Sequence, residues 1–448
     1  MFYNLEPNVQ VFFGCCIIDI RGIKMFEKIK SAVNCYNENK LLYQKLSISL
    51  LDRSFARDDD VPLTEDEIKQ IDAYWKKYAF AYPNIDYKSF ETFKNRCGKF
   101  DVRHCPGHIR TGFFRKHFIN NNYAKSFQNK GMLSFLFSNI NQPRSMARCM
   151  DNVYLDEKFQ PLSLDDLSDL CLKFVQEGTN LVVKPFFFSQ GKGICFLTQE
   201  NADIKYIKDI LRAKSKSGFV IQEALKQSSF MDMLNDSAVN TVRITTLLFD
   251  GKVYPLAALI RVGKTGSKVD NFNAGGSLLG IDINTGKCLN WALMQDRSHS
   301  SVLPNGFDLN QELVVPNFEK LKQDVINCHY RVPYIKMISW DIALDSNDIP
   351  TLIECNFGGE IQMHEAVTGP LFGELMDGLL EKYLYLRFVK KNFICREYCD
   401  HIEIEKYIGN KDRASIPREI KEKPVTKVIK GGFVNVRIKH LPTYCKAV

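Results

Sequence analysis

The sequence predicts an α+β fold, and three stretches predict it. Leu181–Lys184 and Ile194–Leu197 read as short strands around the turn Pro185-Phe-Phe-Phe-Ser-Gln-Gly-Lys-Gly193. Thr241–Phe249 and Val253–Val262 flank Asp250-Gly251, a dipeptide that favours the tight turn of a hairpin. Met337–Leu344 and Ile349–Asn356 flank Asp345-Ser-Asn-Asp348, whose residues all favour turns. Between these antiparallel pairs lie segments whose apolar residues recur at helical spacing. The first third of the chain has no G-x-G-x-x-G and no strand-helix alternation, which argues against a dinucleotide-binding fold there.

From Phe26 to about Gln128 the pattern is mainly helical. Thr64 with Glu67 forms a capping signal, followed by an apolar stripe at Ile68, Ile71 and Tyr74-Trp75. His104, His108, Arg110, Arg115 and His117 crowd one stretch, which reads as a solvated basic face with an anion-holding role as the alternative. Lys130 precedes a helical segment, Met132–Ile140, which Asn141-Gln-Pro143 ends. Ser163 with Asp166 caps a further helix that runs to Gly178, Asn201 is expected to cap another, and Asn317 to open a third. Leu371–Phe388 reads as helical, and from Lys390 onward the chain becomes charged and irregular.

A chain of 448 residues with 45% hydrophobic and 25% charged residues has room for two to three domains and a sizeable core. Its 60 Lys and Arg against 52 Asp and Glu give +8, too mild to imply nucleic-acid binding and sufficient for phosphate-bearing substrates. Fourteen cysteines without framework spacing and without a C-x-x-C pair point to reduced thiols in a cytoplasm. Cys395, Cys399 and His401 lack a fourth ligand at zinc spacing. The apolar run Val9–Ile20 is too short to span a bilayer, contains Gly14 and Asp19, and has no basic residue ahead of it as a signal peptide would. The first 24 residues are read as an extension or a poorly ordered arm, and no transmembrane segment is expected.

The hairpin Met337–Asn356 organises the candidate chemistry. If the four-residue turn closes it, Asp341 faces Leu352, and alternation places Glu354 and Asn356 on the same face as Asp341. Diagonal neighbours lie roughly 7–8 Å apart. Two carboxylates with an amide oxygen suit Mg²⁺, which takes oxygen ligands and is usually completed by substrate phosphates; a solvated acidic hairpin is the plain alternative. Upstream, Gly191-Lys192-Gly193 lets the backbone approach a phosphate, and Lys184 on an apolar strand needs an anion. The loop is not a Walker P-loop. Gln222-Glu223 ends a strand and reads equally as a hinge over an adenine or as an ordinary strand end. With Asp250-Gly251 as the turn, Asn240 sits opposite Arg261 and Arg243 points to the other face, unless a bulge near Pro255 brings both arginines to one side. The polar loop Val269-Asp-Asn-Phe-Asn-Ala-Gly-Gly276 suits a small polar group, or is a wide turn.

The order of these parts resembles the ATP-grasp enzymes. Asn240-Thr-Val-Arg-Ile-Thr-Thr246, Arg261-Val-Gly263, Val269 to Gly276 and Trp340-Asp-Ile-Ala343 resemble the sugar-transfer-associated ATP-grasp family, over about Lys130 to Leu386. The resemblance implies an ATP-grasp fold of two α+β lobes: a helical N-terminal region over 1–128, an N-lobe over 129–225, a C-lobe with the metal site over 226–388, and an appendage over 389–448. It implies that Lys130, Lys184, Ser189, Gly191, Lys192, Gly193, Gln222 and Glu223 hold ATP. Asp341, Glu354 and Asn356 would hold Mg²⁺. Arg243 and Arg261 would stabilise the transferring phosphoryl group or hold the acid substrate, and Asn240, Asp270, Asn273, Gly275 and Gly276 would meet the substrate. Two departures stand out: no α/β domain precedes the lobes, and the loop after Lys184 is rich in phenylalanine.

The chemistry implied is formation of an acyl phosphate from a carboxylate and ATP, then attack by an amine, with a glycan-precursor or other small-molecule acid and amine as partners and cell-surface polysaccharide as the setting. The other readings are an ATP-grasp phosphotransferase acting on a hydroxyl and a nucleotide-binding regulator without turnover. Asp341→Asn or Glu354→Gln is expected to abolish turnover and leave the fold intact.

Overall fold

Thr64 accepts a hydrogen bond from the Glu67 backbone N–H while the Glu67 side chain accepts from that of Thr64, and the helix Glu65–Trp75 starts there as the sequence predicts. The computed structural model describes residues 54–78, 85–187, 191–267, 270–357, 361–385, 393–397, 402–407, 425–429 and 433–438. All fall in one of the chain's two compact units, Leu51–Val448. Residues 1–24, Val269, Ser189 and His401 lie outside the described residues. The helices Glu65–Trp75 and Tyr87–Cys97 bury Ile71, Trp75, Phe90 and Phe93 completely.

Two antiparallel sheets follow. The smaller has six strands: β1 (Ser145–Met150), β2 (Val153–Asp156), β3 (Pro161–Leu162), β4 (Leu181–Pro185), β5 (Cys195–Leu197) and β6 (Phe219–Glu223), in the order β3-β2-β1-β6-β4-β5. One face, with Ala147, Cys149, Leu181, Val183, Phe219 and Ile221, packs with Leu167, Cys171, Val175, Ile207 and Leu211, which belong to the helices Leu164–Gln176 and Ile204–Ser215. Ser163 and Asp166 cap the first of these reciprocally. The second is capped by Asp203, not by Asn201, whose Oδ1 accepts instead from Thr198 N–H at 2.9 Å and closes a turn.

The larger sheet has seven strands: β7 (Thr241–Phe249), β8 (Lys252–Val262), β9 (Ser277–Ile281), β10 (Cys288–Leu293), β11 (His299–Ser300), β12 (Met337–Leu344) and β13 (Pro350–Phe357), in the order β11-β10-β9-β8-β7-β12-β13. Helix Phe318–His329 contributes Leu321, Val325 and Cys328 to the core against Val242, Ile244, Ile338 and Trp340. It follows Asn317, which lies at φ 53° and makes no side-chain cap bond. Asp250 and Gly251, at φ 48° and 80°, form the expected two-residue turn between β7 and β8.

The segment Met132–Ile140 is helical only over Leu133–Leu136, after a 3₁₀ turn at Lys130–Met132. Beyond β13, Ile361–Thr368 forms a further helix, whose apolar side chains join buried clusters. The stretch beyond Lys390 contains four strands, β14 (Phe393–Glu397), β15 (Ile402–Tyr407), β16 (Val425–Ile429) and β17 (Phe433–Ile438), paired β14-β15-β17-β16. Ile402-Glu-Ile-Glu405 and Phe433-Val-Asn-Val-Arg-Ile438 alternate with period two, a signal masked by the high charge around them. Among the described residues no helix is long and apolar enough to cross a membrane, and the described cysteines are free thiols.

Candidate functional site

A cleft of about 590 Å³ opens between the two sheets. Val182, Lys184 and Phe196 line it from the smaller sheet, and Arg243, Arg261, Asp341, Glu354 and Asn356 from the larger. Its apolar wall is completed by Ile194, Leu225 and Ile353.

The register of β12 and β13 sets the acidic end. The turn after Leu344 is one residue longer than expected, with Leu344 opposite Pro350, and a bulge between Asp341 and Ile342 adds another residue on β13. The two shifts sum to two, so Asp341 pairs with Glu354 instead of Leu352, and the side-chain parity is preserved. Asn356 follows on the same face, its Nδ2 donating to Asp341 Oδ2 at 3.1 Å.

The bulge near Pro255 decides the arginines. Thr246 pairs with Pro255 but Thr245 with Ala257, and beyond that point Arg261 faces Thr241 and Arg243 faces Leu259. Both guanidinium groups then reach the same carboxylate. Arg243 donates through Nε and Nη2 to the two Asp341 oxygens at 2.7 and 2.8 Å, and Arg261 Nη1 to Asp341 Oδ2 at 3.1 Å. Burial alone would raise the Asp341 carboxyl; the two arginines outweigh it and hold the group ionised. Arg261 also pairs with Asp270 at 3.1 Å. Burial pushes the Asp270 carboxyl upward against that pull, and Thr241 donates to it at 2.5 Å.

At the smaller sheet, Lys184 is brought down to about 8 by burial, with Glu354 opposing that and Lys130 adding to it. Lys130 Nζ sits 3.0 Å from Glu354 Oε1, which ties the 3₁₀ turn to β13. The phenylalanine-rich loop has a packing reason: a Cβ on Gly131 or Gly218 would come within 2.5 Å of the Phe186 ring, so the ring fills the space two glycines leave. Gly191 lines the cleft at φ 73° and Gly193 has the same φ. Lys192 is exposed, and Gly193 O accepts from Lys214 at 2.7 Å. Gln222 donates to Pro143 O at 3.2 Å, and Glu223 lines the cleft beside Arg144.

Two of the expected substrate residues stand elsewhere. Asn240 is fully buried, its Nδ2 donating to Met231 O and Asn235 O and its Oδ1 accepting from Gly263 N–H, so it pins the backbone before β7 instead of facing the cleft. Asn273 is exposed, and Asn271 lines the cleft in its place. Gly275 takes φ 103°, and a Cβ on Gly276 would meet Val262 O at 2.6 Å, so both shape the loop. Arg115, from the helical N-terminal region, lines the cleft; its cluster of basic residues reads as solvated because nothing local in sequence ties it to the sheets. Below the ion pairs, Thr245 bridges Ser339 at 2.8 Å and His364 Nε2 at 2.9 Å, and burial and Arg243 push His364 down to about 3, so it is neutral.

The model of one family, sugar-transfer associated ATP-grasp, matches residues 119–373, more than half of the chain and every residue of this cleft except Arg115. The chain belongs to the sugar-transfer associated ATP-grasp family. The solved structures it is similar to include the ATP-grasp ligase PsnB complexed with minimal precursor, Mg and ADP, at 14% identity over 58% of this chain and 61% of that one, TM-score 0.35. D-alanyl-alanine synthetase A from Vibrio cholerae is 12% identical over 57% of this chain and 60% of its own, TM-score 0.33. D-alanine–D-alanine ligase from Bacillus anthracis complexed with ATP is 16% identical over 60% and 68%, TM-score 0.31. The chain thus spans about three-fifths of the length of the first two. No curated protein matches the sequence. The described residues of 54–128, which precede the two sheets, are mainly helical.

Proposed function

We propose that this ATP-grasp chain is an ATP- and Mg²⁺-dependent ligase that activates a carboxylate as an acyl phosphate and joins it to an amine, in the assembly or modification of a cell-surface polysaccharide. The observation that carries the reading is the convergence of Lys130, Lys184, Arg243 and Arg261 with Asp341, Glu354 and Asn356 on one cleft between two lobes. On this reading the N-lobe spans residues 129–225 and the C-lobe 226–388.

ATP would lie with its base against Val182, Phe196 and Leu225 and its phosphates toward Lys184 and Gly191. Lys184 and Lys130 supply positive charge where phosphates need it, and Lys184 gains most because burial has made its charge costly without an anion. Asp341, Glu354 and Asn356 form an all-oxygen donor set that fits Mg²⁺, and both carboxylates already meet cationic side chains, Glu354 that of Lys130 and Asp341 those of the arginines. Mg²⁺, when bound there, would offset phosphate charge. Arg243 and Arg261 orient the phosphoryl acceptor and stabilise developing charge, the main route to catalysis in phosphoryl transfer. Arg115 and Asn271 would hold the acid substrate at the far end.

Incubation with ATP, Mg²⁺ and candidate acids in hydroxylamine tests this. An acyl phosphate is trapped as a hydroxamate with ADP released; a stable phosphoester without hydroxamate would establish the phosphotransferase reading instead, and no ADP release with any acceptor would support a regulator.

A further inference from the structure

A buried guanidinium marks a second place on the molecule. Arg148, on β1, is 3% exposed, and its Nε and Nη1 have no hydrogen-bond partner. It lies against two phenyl rings, with Cζ 4.2 Å from the Phe159 centroid and 5.6 Å from that of Phe135. Those rings are 5.2 Å apart and both are exposed, at 37% and 45%. In the strand ladder Arg148 faces Leu155 and Val220, neither of which can take its charge. Asp156, the acid nearest in effect, is spent on the turn, accepting from the backbone N–H groups of Lys158 and Gln160.

Arginine stays charged in proteins, and a buried charge without a partner costs free energy. Aromatic faces recover part of that cost but leave the N–H donors unsatisfied. Arg148 lines a cleft of about 490 Å³, together with Ser134, Ser145, Arg144 and Lys158. The acid on its rim, Glu157, is already bonded to Arg144 at 3.0 Å, which leaves the cleft with a positive surplus. Arg144 reaches in the other direction to Glu223 of the nucleotide cleft at 3.4 Å.

We propose that this cleft binds an oxyanion, a carboxylate or phosphate carried on a flat apolar body, with Arg148 holding the anion and Phe135 and Phe159 stacking on the body. A planar guanidinium forks onto both kinds of oxyanion, and two exposed rings beside it select a ligand with an aromatic or similarly flat face. The site is separate from the proposed ligase chemistry and stands or falls without it.

The test is calorimetric titration of the full chain with phenyl phosphate, benzoate and inorganic phosphate, repeated on Arg148→Met and Phe159→Asn, with a cooperative thermal melt as the control for folding. Wild type is expected to bind one of the aryl anions at least about tenfold more tightly than inorganic phosphate, and the preferred one identifies the anion as phosphate or carboxylate. Arg148→Met is expected to lose about tenfold or more, and Phe159→Asn, in an exposed turn, roughly threefold. If Arg148→Met does not fold, Phe159→Asn decides. Absence of aryl-anion binding to wild type, or wild-type binding in the folded variants, would overturn the proposal.

Discussion

Asp341 and Glu354 stand directly opposite one another on β12 and β13, yet each is held by different cations: Asp341 by Arg243 and Arg261, Glu354 by Lys130. The two carboxylates therefore differ in what their removal does. Asp341 is buried at the centre of a charge network, whereas Glu354 is partly open to the cleft. Glu354→Gln is expected to lower turnover by at least about 10²-fold with a near wild-type melting temperature. Asp341→Asn, which the sequence alone suggests would leave the fold intact, leaves two arginines without their shared carboxylate and is expected instead to cost up to about 3–5 kcal/mol of stability as well as activity. Paired thermal melts and ADP-release assays check both.

Lys184 gives the site a pH signature. Its ammonium must be charged to meet phosphate, and in the free protein it loses its proton near pH 8. ATP binding is expected to weaken as pH rises above about 8, approaching tenfold per pH unit, because ever less of the protein carries the charge. Lys184→Arg keeps the charge and should bind ATP with little change between pH 7 and 10. Titrations at several pH values separate the two; a wild-type affinity that is flat to pH 10 would contradict this role for Lys184.

A second titration belongs to the fold. His104 Nδ1 bonds Glu365 at 2.8 Å, its Nε2 lies 3.9 Å from the Cys97 sulfur, and Glu365 also accepts from the backbone N–H groups of Cys105 and Leu371. Burial alone would lower the imidazole; the bonds to Cys97 and Glu365 outweigh it and lift the group to about 10. The folded value lies above the unfolded one of about 6.5, so the stability this group contributes is complete below pH 6.5 and is lost as pH rises toward 10. Glu365→Gln is expected to be destabilised at pH 6 and to lose much of that pH slope in denaturant unfolding.

The loop before β9 is expected to tolerate no side chain at Gly276. A Cβ there would meet two backbone oxygens, Val262 O at 2.6 Å and Asn271 O at 3.1 Å, neither of which can swing aside. Gly276→Ala should cost about 1–3 kcal/mol, read as a lower melting temperature, and should displace Asn271 from the cleft.

Much of the frame was legible because its signals are local. Asp250-Gly251 sets the β7–β8 turn, and the caps at Thr64 and Ser163 start their helices. The shared face of Asp341, Glu354 and Asn356 survived an error in register because the longer turn and the bulge shift it by an even number. What stayed hidden depended on distant contacts. Strand β1, Ser145-Met-Ala-Arg-Cys-Met150, has no β-branched residue and is a strand because β2 and β6 pair with it. Arg115 reaches the cleft, and Asn240 turns away from it, through packing that spacing along the chain does not encode.

On the proposed function, this cleft takes ATP with a metal on the β12–β13 carboxylates. Calorimetric titration of ATP, with and without Mg²⁺, into wild type and Glu354→Gln tests it most directly. Wild type is expected to bind ATP more tightly with Mg²⁺, and the variant to lose that Mg²⁺ dependence with the fold intact. Absence of ATP binding to folded wild type, or the same Mg²⁺ dependence in both proteins, would contradict it.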